Sequence, residues 1–405
     1  MSLSICLFED SKAGQFYPIT LTHPVYDLRC GILTLQEKWR RYFPVASFHL
    51  YSRAYLANLM KERNPNSKIN SLPADGTCIF INCRALPDAA FVRELQTEGE
   101  AVFECSGELV AAKIPAARLE KVEFESGHLP EAVVRGLPVH QLEVQKLNYL
   151  WDVVNNNPAE IARDFALLSA GLIAGEVHPS AILENESQIH LGPGSRIRPG
   201  VILDAEHGPI YIGKNATVMA NAVIEGPASV GDDSIIKVGA KIYEGTSIGE
   251  VCKVGGEVEE SIFQSYSNKQ HDGFLGHAYL GQWVNLGADT NNSDLKNNYG
   301  SVRVFVENKE VDSGSTFVGL FMGDHSKSAI NMMFNTGTVI GPMSNIFGSG
   351  FPPKHVPSFS WGGAEGFVEH DLKKALATAK IVMARRKVGM TAAYEELFEH
   401  VFNTK

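Results

Sequence analysis

Beginning at Ile212 and stepping by six, every stop along the chain is aliphatic: Val218, Ile224, Val230, Ile236, Ile242, Ile248 and Val254. If about a quarter of residues are Ile, Leu, Val or Met, eight such stops in register arise by chance on the order of 10⁻⁵ per starting point. A second column lies two residues before each stop after Ile212, at Ala216, Ala222, Ala228, Ser234, Ala240, Thr246 and Cys252, and every member is small. Glycine follows the stop at Gly213, Gly231, Gly249 and Gly255. An amphipathic helix repeats near 3.6 residues and an ordinary strand near 2, so neither explains a period of six. A triangular coil does. Each hexapeptide supplies a short strand and a corner, three close one turn, and successive turns stack at about 4.8 Å. The aliphatic column then faces inward, and the small column sits where the chain bends.

The same rhythm starts earlier, at Leu191, Ile197 and Leu203, and slips by three residues near Glu206-His207-Gly208. It resumes at Leu280 and Leu286, and again at Ile340 and Ile346. Between these lies a polar, asparagine-rich stretch from Gly287 to Gly319. An excursion from so regular a solenoid either caps it or builds a site. The coil is expected over residues 172–350.

The flanks carry other signals. In residues 1–140, apolar runs at Ser4–Phe8, Cys78–Ile81 and Ala101–Phe103 alternate with helical patterns at Thr34–Tyr42, Arg53–Arg63 and Ala89–Thr97, which predicts an α/β domain. Residues 141–171 read as two helices broken at Asn155-Asn156-Asn157-Pro158, forming a connecting arm. In residues 351–405, Val368–Lys387 reads as one amphipathic helix, and Thr391 with Glu395 opens a second. Such a tail would cover the open end of the solenoid or a neighbouring subunit.

The formal charge of −10 argues against a general nucleic-acid binder, while leaving room for a local basic pocket. Apolar stretches fall short of the roughly 20 residues of a membrane span, and MSLSICLFED lacks the features of a signal peptide, so a cytoplasmic protein with no membrane partner is expected. Six scattered cysteines, with no C-x-x-C pair or zinc spacing, suit reduced thiols and no metal site.

Two segments, NKQHDGFLGHAYLGQWVNLGADT (268–290) and FVGLFMGDHSKSAINMMFNTGTVIG (317–341), resemble the two-domain sugar-nucleotide enzymes. These join a nucleotidyltransferase-like domain to a left-handed parallel β-helix acyltransferase. Their best-known member is the bifunctional N-acetylglucosamine-1-phosphate uridylyltransferase/glucosamine-1-phosphate N-acetyltransferase. The N-terminal FEDSKAGQFYPITLTHPVYDLRCGILTLQEKW is similar to the variant found in Bacteroidetes. The resemblance implies an α/β nucleotidyltransferase-like domain, then a left-handed hexapeptide-repeat β-helix and C-terminal helices. It also implies a homotrimer, acetyl-CoA as co-substrate and a sugar phosphate as acceptor.

By position, His271 matches the family's catalytic histidine, followed by Phe274 where the bifunctional enzyme has tyrosine. Imidazole changes charge near neutral pH, so it could take a proton from an attacking amine. By its residue type alone, His271 is equally a surface-loop histidine, and His277 and His325 are nearby alternatives. In the polar excursion, Asn291, Asn292, Asp294, Lys296 and Asn298 are candidates for sugar hydroxyls and phosphate, with Arg303 as a second cation. A solvated loop is the competing reading. Lys327 is a candidate for the coenzyme's phosphates or a plain surface lysine. One departure stands out: Glu259 falls where the family has a phosphate-binding lysine, for which Lys253 or Lys269 could substitute.

The N-terminal domain departs further. Of the family's glycine-rich phosphate loop it keeps Gly14, and Val25 stands in place of the lysine. Lys12, Arg29 and Lys38 could supply charge to a nucleoside triphosphate. The metal-binding aspartate of an N-G-D context is replaced by Cys83-Arg84 after Asn82, and Asp88 lies further on. Magnesium-assisted phosphoryl transfer needs that carboxylate. Nucleotidyl transfer and simple binding or assembly therefore both stay open for this domain. The rivals to an acyltransferase are a nucleotidyltransferase with a purely oligomerising coil, and a scaffold whose sites have decayed.

Overall fold

A computed structural model describes residues 2–119, 129–307 and 309–405, and divides into two compact units. The first comprises Met1–Phe16, His23–Leu28 and Thr34–Asn148; the second comprises Tyr17–Thr22, Arg29–Leu33 and Tyr149–Lys405. Two short N-terminal segments thus belong to the second unit.

The first unit is an α/β layer, as its alternating pattern requires. Its seven strands are β1 (Leu3–Phe8), β2 (Ser47–Tyr51), β3 (Lys68–Ile69), β4 (Thr77–Asn82), β5 (Ala101–Cys105), β6 (Glu108–Pro115) and β7 (Val139–Gln141). They are ordered β3-β2-β1-β4-β6-β5-β7. β1 runs parallel to β2 and β4, whereas β6 is antiparallel to β4 and β5. Helix α1 (Leu35–Tyr42) starts where Thr34 and Glu37 form a reciprocal capping box, and Asp88 caps α3 (Ala89–Gln96) through Phe91 N at 2.7 Å. The short helices α2 (Ala57–Arg63) and α4 (Glu131–Val134) complete the layer.

In the second unit the arm is a single helix, α5 (Leu150–Leu167), with Pro158 inside it, rather than two helices broken at 155–158. Proline removes one intrahelical hydrogen bond, but docking outweighs that loss. The buried Asn157 amide donates to Gly245 O at 2.7 Å and Ser247 Oγ at 3.0 Å, and its oxygen accepts from Gly31 N at 2.6 Å.

The six-residue rhythm folds as the triangular coil. The pairs Ile212–Val230, Val218–Ile236 and Ile224–Ile242 sit side by side in three different parallel sheets, each pair one 18-residue turn apart (230 − 212). We call these sheets the first, second and third walls, in that order. The first wall stacks nine strands from Ile189–Leu191 to His355–Val356. The aliphatic column and the Ala and Cys members of the small column form one continuous core, and Ser234 and Thr246 of the small column are buried as well. After Ile248 the turn shortens: Ile248 pairs with Phe263 and Val254 with Lys269, a spacing of 15 (263 − 248). This shortening hides the repeat from a six-step count between Val254 and Leu280.

The coil also runs past residue 350, through His355–Val356 and Ser360–Gly363. Gly366–Glu369, with its last two residues expected to open the helix from Val368, instead folds back as an antiparallel strand on Ser360–Gly363 and covers that edge. Helices α6 (Leu372–Ala384) and α7 (Ala392–Thr404) follow, capped by Asp371 and Thr391. Within the polar excursion, Arg303–Val306 and Lys309–Asp312 form a hairpin.

Candidate active site

The corner between the second and third walls carries His271. Its residue is exposed, whereas the two alternative histidines are not. His325 is fully buried, its Nε2 3.2 Å from Tyr394 Oη, with the rings of Trp283 and Phe398 against it. His277 is held between carboxylates, Nδ1 2.8 Å from Asp294 Oδ2 and Nε2 3.2 Å from Glu260 Oε2. Burial alone would lower its pKa, but those two hydrogen bonds and charges carry it up to about 9. His277 is therefore an imidazolium at neutral pH and cannot accept a proton. Of the three, His271 alone has the access a base needs.

The backbone beneath His271 is fixed from inside the coil. Lys269 occupies the position next to Val254, where the preceding members of the column (Ile197, Val218, Ile236 and Val254) are aliphatic, and it is buried. Its ammonium donates to Gly255 O at 3.0 Å, His271 O at 3.1 Å and Gly273 O at 2.5 Å. Burial pulls its pKa down to about 8. This places Lys269 out of reach of a phosphate, so it does not replace the family lysine; it is a strut under the corner. Gly256 completes the strut, because a Cβ there would lie 2.6 Å from Lys269 Nζ and 2.8 Å from His271 O.

A groove of about 270 Å³ opens beside this corner, lined by Lys241, Glu257, Asp272, Gly273, Phe274 and Asn291 among others. Lys241 and Glu257 pair across it at 3.1 Å. Phe274 and Asn291, both singled out in the sequence, meet here: Asn291 Oδ1 accepts from Phe274 N at 2.7 Å. Asn292 is directed elsewhere. It is buried, accepting from Gly276 N at 3.0 Å and donating to Gly276 O at 2.9 Å, so its amide continues the third wall by standing in for a backbone ladder. Asp294 is spent on His277. Glu259 stands near His277, Asp294, Glu244 and Glu260, and burial followed by those carboxylates raises its pKa against the pull of His277.

Lys296 and Arg303 do not line the groove. Lys296 donates to Ser301 O, and Arg303 lies opposite Asp312 in the hairpin, where both cations act on the Asp312 carboxylate. Lys327 is half-buried: Nζ donates to His325 O at 2.7 Å, and desolvation lowers its pKa to about 8.

The nucleotide-site candidates are likewise dispersed. Arg29 is buried in the second unit, bonded to Gln264 O at 3.3 Å and paired with Glu250 at 2.6 Å, and Lys38 is buried in α1. Gly14 lies in a short 3₁₀ turn (Ser11–Phe16). Lys12 pairs with Glu108. Arg84 stands where a metal-binding carboxylate was sought, its guanidinium 2.6 Å from Asp10 and 2.9 Å from Glu108, with Lys146 at 3.0 Å from Glu108. Burial would raise the Asp10 carboxyl, yet Arg84 holds it below the usual range; Lys12 foremost, with Arg84 and Lys146, pulls Glu108 down to about 2. This cluster does not fit a magnesium ion. A divalent cation would have to displace a guanidinium that already neutralises both carboxylates. Asp88 cannot replace them, being the cap of α3.

Among the described residues, no helix is long and apolar enough to cross a membrane. Residues 5–173 match the model of a family described as sugar nucleotidyl transferase. The bifunctional protein GlmU of Rippkaea orientalis is 32% identical over 123 residues, which cover 28% of this chain and 25% of the relative. That of Synechococcus elongatus is 28% identical over 255 residues, covering 57% of this chain and 51% of the relative. The chain thus spans a quarter to about half of the length of these curated relatives. A UDP-N-acetylglucosamine acyltransferase from Campylobacter jejuni covers 57% of this chain and 97% of its own at 11% identity, with a TM-score of 0.27. The resemblance to bifunctional sugar-nucleotide enzymes read from the sequence is borne out by the family model and the curated relatives.

Proposed function

We propose that the chain is a transferase of sugar-nucleotide metabolism whose coil moves an acetyl group from acetyl-CoA to the amine of a phosphorylated amino sugar. The observation that carries this reading is the exposed His271 on a corner whose next residues, Asp272 and Gly273, line a polar groove that His271 itself does not line, with both alternative histidines disabled by burial or by charge. In the reaction the amine nitrogen attacks the thioester carbonyl and a C–N bond forms. His271 takes the amine's proton, and the tetrahedral intermediate collapses with loss of coenzyme A, whose sulfur receives a proton. Phe274 and Asn291 flank the acceptor. Backbone N–H groups of the coil corner, braced by Lys269, are the natural donors to the developing oxyanion.

The first unit then binds a sugar phosphate or nucleotide without metal-assisted phosphoryl transfer, since Arg84 stands in the place of the metal. The active molecule is a homotrimer.

The test is a coupled assay on the full chain with acetyl-CoA and glucosamine 1-phosphate, run beside pyrophosphate release from a nucleoside triphosphate with magnesium. Coenzyme A release that disappears in His271→Ala, with no pyrophosphate release by either protein, is the expected result. Undiminished coenzyme A release in that variant removes His271 from the mechanism. Pyrophosphate release without coenzyme A release favours a nucleotidyltransferase with an oligomerising coil, and neither activity favours a scaffold.

A further inference from the structure

The chain is acidic, with a formal charge of −10, yet one patch of the second unit gathers four cations. Lys253 lies on a second-wall strand, in register with Asn268 on the next turn. Lys237 follows Ile236 on the turn below; its backbone N–H bonds Val254 O at 2.8 Å, and its Cβ would stand 2.9 Å from a Cβ built on Gly255. The end of α6 comes to the same strands from outside. Arg386 donates to Asn268 Oδ1 at 2.8 Å, and Arg385 precedes it as the residue that caps the helix.

Among the described residues none of these four forms an ion pair with a carboxylate, although cations nearby do: Lys241 with Glu257 at 3.1 Å, Arg29 with Glu250 at 2.6 Å and Lys380 with Glu395 at 2.7 Å. The Lys253 ammonium is held below its ordinary value by burial and then by Arg386, Lys237 and Arg385. Cations at a helix C-terminus complement the dipole, which accounts for Arg385 and Arg386 but not for two lysines on separate turns of the coil. Like charges brought together without a counter-charge cost stability, and a bound anion relieves that cost.

We propose that Lys237, Lys253, Arg385 and Arg386 form a binding site for a phosphate monoester dianion, built jointly by the second wall and the end of α6. Two lysines act as point charges from the wall, and the two guanidiniums add directional donors suited to phosphate oxygens. The patch borders the corner that carries His271, because Lys237, Gly255 and Gln270 stack on successive turns and Gln270 precedes His271. Two groups in the reaction proposed above carry such a dianion: the sugar 1-phosphate of the acceptor and the 3′-phosphate of coenzyme A. The identity of the ligand rests on that reading; the existence of the site does not.

Calorimetric titration of the full chain separates these cases without relying on turnover. Glucosamine 1-phosphate is compared with glucosamine, and coenzyme A with its 3′-dephospho form. Preference for the phosphorylated member in one pair identifies the source of the phosphate. In Lys253→Gln/Arg386→Gln that preference falls about tenfold or more, while binding of the unphosphorylated member is unchanged. Lys237→Gln, a single change just after the Ile235–Ile236 strand, lowers the same preference in a smaller step and serves if the double variant does not fold. Equal binding of both members in both pairs, or a preference that survives all these substitutions, overturns the site. Acyl transfer is measured separately through His271→Ala, so a failed patch and a failed mechanism give different results.

Discussion

The charged His277 gives the coil a stability profile that can be worked out from the structure. Its pKa in the folded chain is about 9, held up by Asp294 and Glu260 against burial. The ordinary histidine value is near 6.5, and a rise of that size corresponds to about 3 kcal/mol. Because the folded value lies above the unfolded one, this contribution is fully present below about pH 6.5 and is lost as pH rises through about 9. Lys269 and Lys327 act in the opposite sense. Each is lowered from an ordinary 10.5 to about 8, so each costs stability while charged, and that cost is relieved as pH rises above about 8. The wild-type profile is a composite, and the informative quantity is the difference between wild type and His277→Asn. Asparagine suits the left-handed backbone at this position (φ 46). Urea unfolding followed through Trp283 and Trp361, both in the second unit, should show the substitution costing about 3 kcal/mol more at pH 6 than at pH 9.5. A difference that is flat across this range would mean that His277 is not a buried cation, and the argument singling out His271 would lose its electrostatic half.

Two further substitutions probe the struts. Lys269→Met should leave stability within about 2 kcal/mol, since removing a desolvated charge offsets three lost hydrogen bonds; kcat for acyl transfer should fall with KM little changed, and an unaltered kcat would show that the corner needs no brace. Arg84→Met should destabilise the first unit by about 3 kcal/mol at pH 7, because the half-buried Asp10 then loses the guanidinium that neutralises it, while Glu108 keeps Lys12 and Lys146. The loss should shrink near pH 3.5, where carboxylates begin to protonate; a loss independent of pH would point to packing rather than charge, as Trp39 fluorescence in urea can report.

The coil was legible because its period has no competitor. Val218, Ile236 and Val254 occupy one inward column, and their burial follows from a rhythm visible before any coordinates. The rule fails where the turn loses three residues. There a polar residue takes the aliphatic position, and Lys269, read as a possible phosphate ligand, faces inward onto carbonyl oxygens. The broken helix at Pro158 failed for a different reason: local propensity saw the proline, whereas the tertiary bonds of Asn157 that hold α5 together involve Gly31, Gly245 and Ser247, residues remote in sequence. Asn292 shows the same limit. An asparagine in a polar stretch reads as a ligand until its two bonds to Gly276 show it completing a wall.

His271 and Phe274 could be singled out because the motif holding them is local, but the cations around them are not. Lys237, Lys253, Arg385 and Arg386 are scattered over 150 residues (386 − 237 + 1), and nothing in their spacing joins them. What joins them is the stacking of turns, which makes residues 15 to 18 apart into neighbours, and the return of α6 to Asn268. In a solenoid a column of side chains is a spatial fact about successive turns, so a binding surface can be assembled from positions that share only their phase in the repeat. The substitution of Glu259 for a lysine loses its force as an objection to a phosphorylated acceptor, because the third-wall carboxylate is occupied with the His277 cluster while the second wall and α6 hold the unpaired positive charge.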